Sequence, residues 1–169
     1  MLRALLAFLA LPGLFSVAVP LAIALADPWA RGPWLPGLIV LLAGTALLSW
    51  CIREFLVAGM GTLAPWDPPQ RLVTSGPYRL SRNPMYVGVL ITVAGWAMLL
   101  GSGLVVAYLI GLAAAFHLRV LHSEEPWLAA RFGDQWRAYL GAVPRWIPGP
   151  DRWRRTLDGR GCESDAGDD

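Results

Sequence analysis

Residues 87–121 read VGVLITVAGWAMLL, then GSG, then LVVAYLIGLAAAFHLRVL. Two apolar runs, 87–100 and 104–121, are joined only by Gly101-Ser102-Gly103. A three-residue connection rich in glycine allows nothing but a tight reversal, so the runs form an antiparallel helical hairpin. A helix rises about 1.5 Å per residue and a bilayer's hydrocarbon core is about 30 Å thick. The first run is therefore short for a crossing unless it starts near Pro84, where proline suits a first helical turn because its missing N–H is not needed. The hairpin is expected over 84–100 and 104–122.

Working outward, residues 36–57 and 3–26 form two further apolar runs, separated by a Pro-, Gly- and Trp-rich loop with Trp29 and Trp34 as interfacial aromatics. A signal peptide is the rival reading of the first run, since Ala24-Leu25-Ala26 imitates a cleavage site. Its apolar length exceeds the roughly 7–15 residues of a signal core, which favours a span, kinked at Pro12 and Pro20. On the C-terminal side, Ser123 is expected to cap a new helix over 124–141, with Glu124 and Glu125 in its first turn. Leu128, Phe132, Gln135, Trp136 and Tyr139 recur at helical spacing there, as on a helix lying along a membrane surface. The fold class is thus an all-α integral membrane protein of about four transmembrane helices plus a C-terminal cytoplasmic, interfacial helix. It forms one domain over 1–150, followed by a disordered polar tail, 151–169.

Composition agrees. The chain has 169 residues, 56% hydrophobic and 15% charged, with a mean hydropathy of +0.48, too apolar for an ordinary soluble domain. A net charge of +2, with basic residues neither numerous nor gathered on one soluble face, argues against a nucleic-acid binder. Cys51 and Cys162 lack any CxxC or Cys/His spacing, so neither a disulfide nor a metal site is expected. Gly59-Met60-Gly61-Thr62-Leu63-Ala64 fits a dinucleotide fingerprint in letters alone: it follows an apolar helix instead of a strand, and Pro65 forbids the helix that should open after it. Residues 65–69 read as a stiff linker.

Arginines set the topology. Arg71, Arg79 and Arg82, with Arg131, Arg137, Arg145, Arg152, Arg154 and Arg155, outnumber Arg31 on the other face. The positive-inside rule places both polar stretches and both termini in the cytoplasm, in a bacterial inner (plasma) membrane. These stretches, RLVTSGPYRLSRNPMYVG over 71–88 and EEPWLAARFGDQWRAYLGAVPRWIP over 124–148, lie directly against apolar runs, where a membrane protein concentrates chemistry. At α-helical phase His117, Leu121 and Glu124 share one face, while Arg119, His122 and Glu125 follow another flank. Each histidine is equally well read as part of a satisfied interfacial cluster. The adjacent glutamates need cationic partners, because two desolvated carboxylates repel.

Gly76-Pro77-Tyr78-Arg79, then Arg82-Asn83-Pro84-Met85-Tyr86-Val87-Gly88, then Glu124-Glu125 with Leu128, Phe132-Gly133, Trp136, Tyr139 and Val143-Pro144-Arg145 resemble the isoprenylcysteine carboxyl methyltransferase and phospholipid methyltransferase superfamily of small membrane methyltransferases. The resemblance covers roughly residues 50–148. One departure is Asn83, where much of the family has His; Asn keeps hydrogen bonding but cannot titrate.

The resemblance implies an S-adenosylmethionine-dependent methyltransferase acting on a lipophilic membrane substrate, with no metal and no nucleic-acid partner. The cofactor-binding residues it implies are Gly76, Tyr78, Arg79, Arg82, Asn83, Pro84, Tyr86, Gly88, Glu124, Tyr139 and Arg145. Arginines suit the cofactor's carboxylate, Glu124 its ammonium or ribose, and the tyrosines its adenine or sulfonium. Arg119, Glu125 and His117 are the candidate catalytic residues. A carboxylate acceptor needs no base and favours a nearby arginine such as Arg119 or Arg53, whereas an amine must lose a proton to Glu54, Glu125 or His117. Carboxyl methylation of an isoprenoid-type substrate leads, phospholipid N-methylation follows, and a sterol-type reductase or a non-catalytic membrane protein are the readings from other classes.

Overall fold

The computed structural model describes residues 13–58 and 71–147. The start of the first apolar run with Pro12, the 59–64 pattern, the 65–69 linker and the 151–169 tail lie outside those residues. All regular structure among the described residues is helical. A π-helical turn, Leu14–Ala18, leads into α1, Val19–Ala26. After a loop comes α2, Leu35–Ala58, then a 3₁₀ turn, Gly76–Arg79, before the hairpin α3, Pro84–Leu100, and α4, Gly103–Arg119. A second π turn, Val120–Glu124, joins α4 to α5, Glu125–Ala142. Two helices are long and apolar enough to cross a membrane, Leu35–Phe55 and Gly103–Ala142, the latter kinked at Gly133, where φ is +50°; Leu14–Ala26 and Pro84–Leu100 are apolar but shorter.

The hairpin forms where the sequence places it. Pro84 opens α3, and Gly101 closes it in the left-handed region at φ +59°, a conformation that costs glycine little. Ser102 then starts α4, its Oγ accepting the Val105 N–H at 3.3 Å. Such a cap contributes about 1 kcal/mol. α2 and α3 lie against each other almost backbone to backbone. A Cβ on Gly44 would stand 2.5 Å from the Thr92 nitrogen, one on Gly95 2.5 Å from Leu41 Cα, and one on Gly88 3.1 Å from the Leu48 nitrogen. Small residues on the facing stripes are what permit this approach, which in lipid replaces hydrophobic exclusion as the source of helix cohesion.

Leu48, Val89, Val93, Ala97, Val105 and Leu112 fill the space between α2, α3 and α4, with Ala24 of α1 closing it. Cys51, Val73 and Tyr78 form a second buried group, where the 3₁₀ turn meets α2. Trp136, Tyr139 and Val143 form a third with Leu72, Leu128 and Phe132, so α5 packs over the 71–73 segment.

One expectation is corrected. Ser123 caps no helix: it lies within the π turn, and the chain runs on helically into α5 with helical dihedrals at Glu124. A helix that never stops has no open N–H groups for a cap to satisfy. Pro126 removes a donor and crowds the preceding turn, and the wider π turn immediately upstream accommodates it. The Glu125 N–H reaches the Val120 carbonyl, the five-residue step of a π-helix.

Candidate active site

The two polar stretches meet at the N-terminus of α3. Arg82 N–H donates to the Pro144 carbonyl at 2.9 Å, and the Arg145 carbonyl accepts from Ser81 Oγ at 3.2 Å and Asn83 Nδ2 at 3.1 Å. Tyr139 OH donates to the Tyr78 carbonyl at 2.7 Å. The Val143-Pro144-Arg145 segment is thus held across residues 81–83 by its backbone carbonyls, which accept from one backbone N–H and from the side chains of Ser81 and Asn83.

Under this strap sits a charged triad. Glu125 Oε1 accepts from Arg82 at 2.8 Å and from Arg145 Nε at 2.7 Å, and Glu125 Oε2 accepts from Arg145 at 2.8 Å. Arg82 is nine-tenths buried, with 8% of its side chain exposed. Its guanidinium lies over the Trp136 ring, 5.6 Å from the centroid, a cation–π contact that offsets part of the lost hydration. Desolvation works to raise the Glu125 carboxyl, but hydrogen bonds and charge from Arg145 and Arg82 outweigh it and hold the group below the usual glutamate value. Arg82 Nε is buried without a hydrogen-bond partner. An orphaned guanidinium N–H is costly and marks a position for a further acceptor.

A second cluster lies beside it. Glu124 Oε1 accepts from Tyr86 OH and, at 2.9 Å, from Arg119 Nε. Tyr86 stacks on Phe116 with ring centroids 4.4 Å apart. Residues 119 and 124 would stand about 140° apart on a regular α-helix; the π turn brings them onto one face. The same extra residue removes Glu124 from the face of His117 on which α-helical phase would put it. His117 instead meets the strap, its Nδ1 accepting from Trp146 Nε1–H at 3.2 Å.

The structure therefore gathers Arg82, Asn83, Pro84, Tyr86, Arg119, Glu124, Glu125, Tyr139, Arg145 and His117 around the α3 start and the α4–α5 junction, though with unequal exposure. Tyr139 and Tyr78 are buried in packing clusters, and burial raises both phenols. Gly76 and Gly88 do make close approaches, but to protein: a Cβ on Gly76, at φ +56°, would stand 2.7 Å from Glu54 Cγ, and Gly88 faces Leu48. Arg79 is exposed at the end of the 3₁₀ turn and takes part in neither cluster. Pattern reading missed Trp136 as the Arg82 partner, Ser81 as a strap contact, Trp146 as the His117 partner, and the 2.8 Å bond from Ser75 Oγ to Glu54. All four are pairings between segments distant in sequence, for which spacing carries no signal. Among the described residues no group of three His, Cys, Asp or Glu could hold a metal ion.

Fold and site together define a helical protein with two helices long and apolar enough to cross a membrane and an arginine–glutamate–aromatic cluster at the start of α3 and the α4–α5 junction. The phospholipid methyltransferase family matches residues 33–135, more than half of the 169, and the chain belongs to that family. It is also similar to the protein-S-isoprenylcysteine O-methyltransferase of Schizosaccharomyces pombe, 36% identical over 77 residues that make up 46% of this chain and 33% of that protein. The chain thus matches about a third of that relative's length. No solved structure matches it.

Proposed function

We propose that this chain is an S-adenosylmethionine-dependent methyltransferase whose acceptor is a lipophilic molecule carrying a carboxylate. Family membership and the similarity to an isoprenylcysteine O-methyltransferase support methyl transfer. The residues present suit the cofactor on one specific ground: Arg82 offers a buried, unpartnered Nε–H beside Arg145, a donor set for an anionic group. Tyr86 and Phe116 add an aromatic surface, and Glu124, 30% exposed, a carboxylate for a cation. When bound, the cofactor supplies a methyl group already activated on a sulfonium.

The protein's own contribution is then alignment, which accounts for on the order of 7–11 kcal/mol where two reactants are held in attacking geometry. One observation favours a carboxylate over an amine acceptor: every candidate base is engaged. Glu125 is bound on both oxygens by Arg145, and Glu124 by Tyr86 and Arg119. Glu54 accepts from Ser75 and Arg53. His117 receives the Trp146 N–H on Nδ1, so its neutral form carries the proton on Nε2 and faces outward as a donor. A carboxylate attacks without losing a proton, and Arg119, 61% exposed and held by Glu124 and Tyr86, retains further guanidinium donors to orient it.

The arrangement proposed around this site has four spans, both termini on the cytoplasmic side, and α5 along the cytoplasmic surface. The reading is tested by equilibrium binding of S-adenosylmethionine to purified protein in detergent, followed by labelled methyl transfer to a lipid extract. Saturable binding and a base-labile product are expected. A base-stable product would move the acceptor to a phospholipid amine, and absence of binding by folded protein would refute the reading.

A further inference from the structure

At the end of the bundle away from Glu125, the loop after α1 is fastened onto the hairpin. Asp27 is buried; its Oδ2 accepts from Ser102 Oγ at 2.5 Å and Leu104 N–H at 3.3 Å, and its Oδ1 from Trp29 N–H at 3.0 Å. The N–H groups of Arg31, Gly32 and Trp34 then donate in succession to the carbonyls of Gly101, Leu100 and Leu99, at 3.4, 3.0 and 2.9 Å. Gly32 lies so close that a Cβ would stand 2.6 Å from the Leu99 oxygen. With its polar groups satisfied and its backbone fixed, this loop is a built wall.

Behind that wall lies an open-sided cleft of about 340 Å³, lined by Leu21 and Leu25 of α1, Ala30 and Pro33 of the loop, and Leu100 of α3. Its volume falls within the range of about 300–1,000 Å³ usual for small-molecule sites, and its lining is almost wholly apolar. Arg31, between the lining residues Ala30 and Gly32, is exposed and makes no ion pair among the described residues. Trp29 and Trp34, 73% and 65% exposed, flank it as they would at a headgroup layer. An apolar slot formed by the last turns of two apolar helices, with an unpaired cation and two exposed indoles at its rim, matches a molecule that is hydrocarbon at one end and anionic at the other.

We propose that this cleft holds an acyl chain of an anionic phospholipid, with the lipid phosphate on Arg31. The site is separate from the Arg82–Glu125 cluster and independent of which acceptor is methylated. The Asp27 clasp keeps it formed before the lipid arrives, so little ordering accompanies binding.

Native mass spectrometry of the purified protein in mild detergent tests this, using phosphatidylglycerol and phosphatidylcholine of identical acyl chains as probes. One phosphatidylglycerol is expected to be retained about fivefold more tightly than phosphatidylcholine, the ratio one basic residue provides near an anionic lipid surface. Arg31→Gln should abolish that preference while keeping weak binding of both lipids. Ala30→Trp, which fills the cleft from an exposed position, should lower retention of both. Equal retention of the two lipids by the unaltered protein means annular lipid only and overturns the proposal, as does unchanged phosphatidylglycerol binding in folded Ala30→Trp.

Discussion

Arg145 grips Glu125 with two parallel hydrogen bonds, Nε to Oε1 at 2.7 Å and a terminal nitrogen to Oε2 at 2.8 Å. The forked geometry matters because Oε1 is shared with Arg82, which is almost wholly buried and leans on Trp136. Glu125 therefore stands between two guanidiniums that would otherwise repel, one just ahead of α3 and one on the strap after α5. Removing its charge leaves that repulsion uncompensated, and breaking a fully buried pair costs about 3–5 kcal/mol. With Arg145 one-third exposed, solvent screens part of this. Glu125→Gln is expected to destabilise the protein by on the order of 2–3 kcal/mol, visible as a lower thermal midpoint in detergent. Pairing it with Arg145→Met should recover part of the loss; strictly additive effects would show that the two do not interact.

The same group sets a pH dependence. Its folded pKa lies below the unfolded value, held there by Arg145 and Arg82 against desolvation. A depressed carboxylate contributes stability that is fully present above the unfolded value, about 4.3 for glutamate, and is lost as pH falls through the lower folded value. Stability should be flat with respect to this group from neutral pH down to about pH 5 and fall below it. In Glu125→Gln that acid-limb loss should shrink. An identical acid limb in the two proteins would assign the fall to other carboxylates.

Gly95 faces α2 with no room for a side chain, since a Cβ would stand 2.5 Å from Leu41 Cα. Two effects oppose each other in Gly95→Ala. Helix propensity favours alanine by roughly 1 kcal/mol, while overpacking a close contact costs about 1–3 kcal/mol or more. Because the obstacle is backbone and no rotamer change relieves it, the clash wins, and the variant should melt below the parent. Gly111→Ala, where a Cβ meets nothing within 4 Å, is the control and should be neutral or stabilising.

How much of this was legible beforehand depends on the range of the interaction. The α3–α4 hairpin followed from the apolar runs, Pro84 and the Gly-Ser-Gly link, because each acts locally. The gathering of Arg82 with Glu125 and Arg145 was reachable only through the family resemblance and the general need of a buried carboxylate for a cation. Spacing could not reveal that Trp136 would lie under Arg82, or that Ser81 and Asn83 would hold the strap carbonyl, because those bonds join residues more than fifty positions apart. Gly76 and Gly88 show a subtler limit: a glycine signals a close approach without saying to what, and here the neighbours are Glu54 and Leu48. The π turn was illegible for a different reason. It inserts one residue of phase between α4 and α5, and every face assignment across Val120 made at α-helical spacing shifts with it.

That inserted residue can be removed. In the π turn Arg119 reaches Glu124 five positions on, at 2.9 Å, and Glu124 also takes the Tyr86 hydroxyl. Deleting Ser123, whose side chain is exposed, should let the segment relax to α-helical spacing, because a regular helix satisfies the same backbone groups at lower strain. Four residues at α-helical pitch turn about 400°, which brings Arg119 and Glu124 onto one face as the five-residue π step does, so α5 keeps its direction and Trp136 and Tyr139 keep their packing on Leu72. The deletion is therefore expected to give a helical protein that binds S-adenosylmethionine about as well as the parent and as Ser123→Ala, which keeps the residue count. Circular dichroism with equilibrium binding on the two variants checks this, and loss of binding by the deletion alone would mean that the π turn itself is required to form the site.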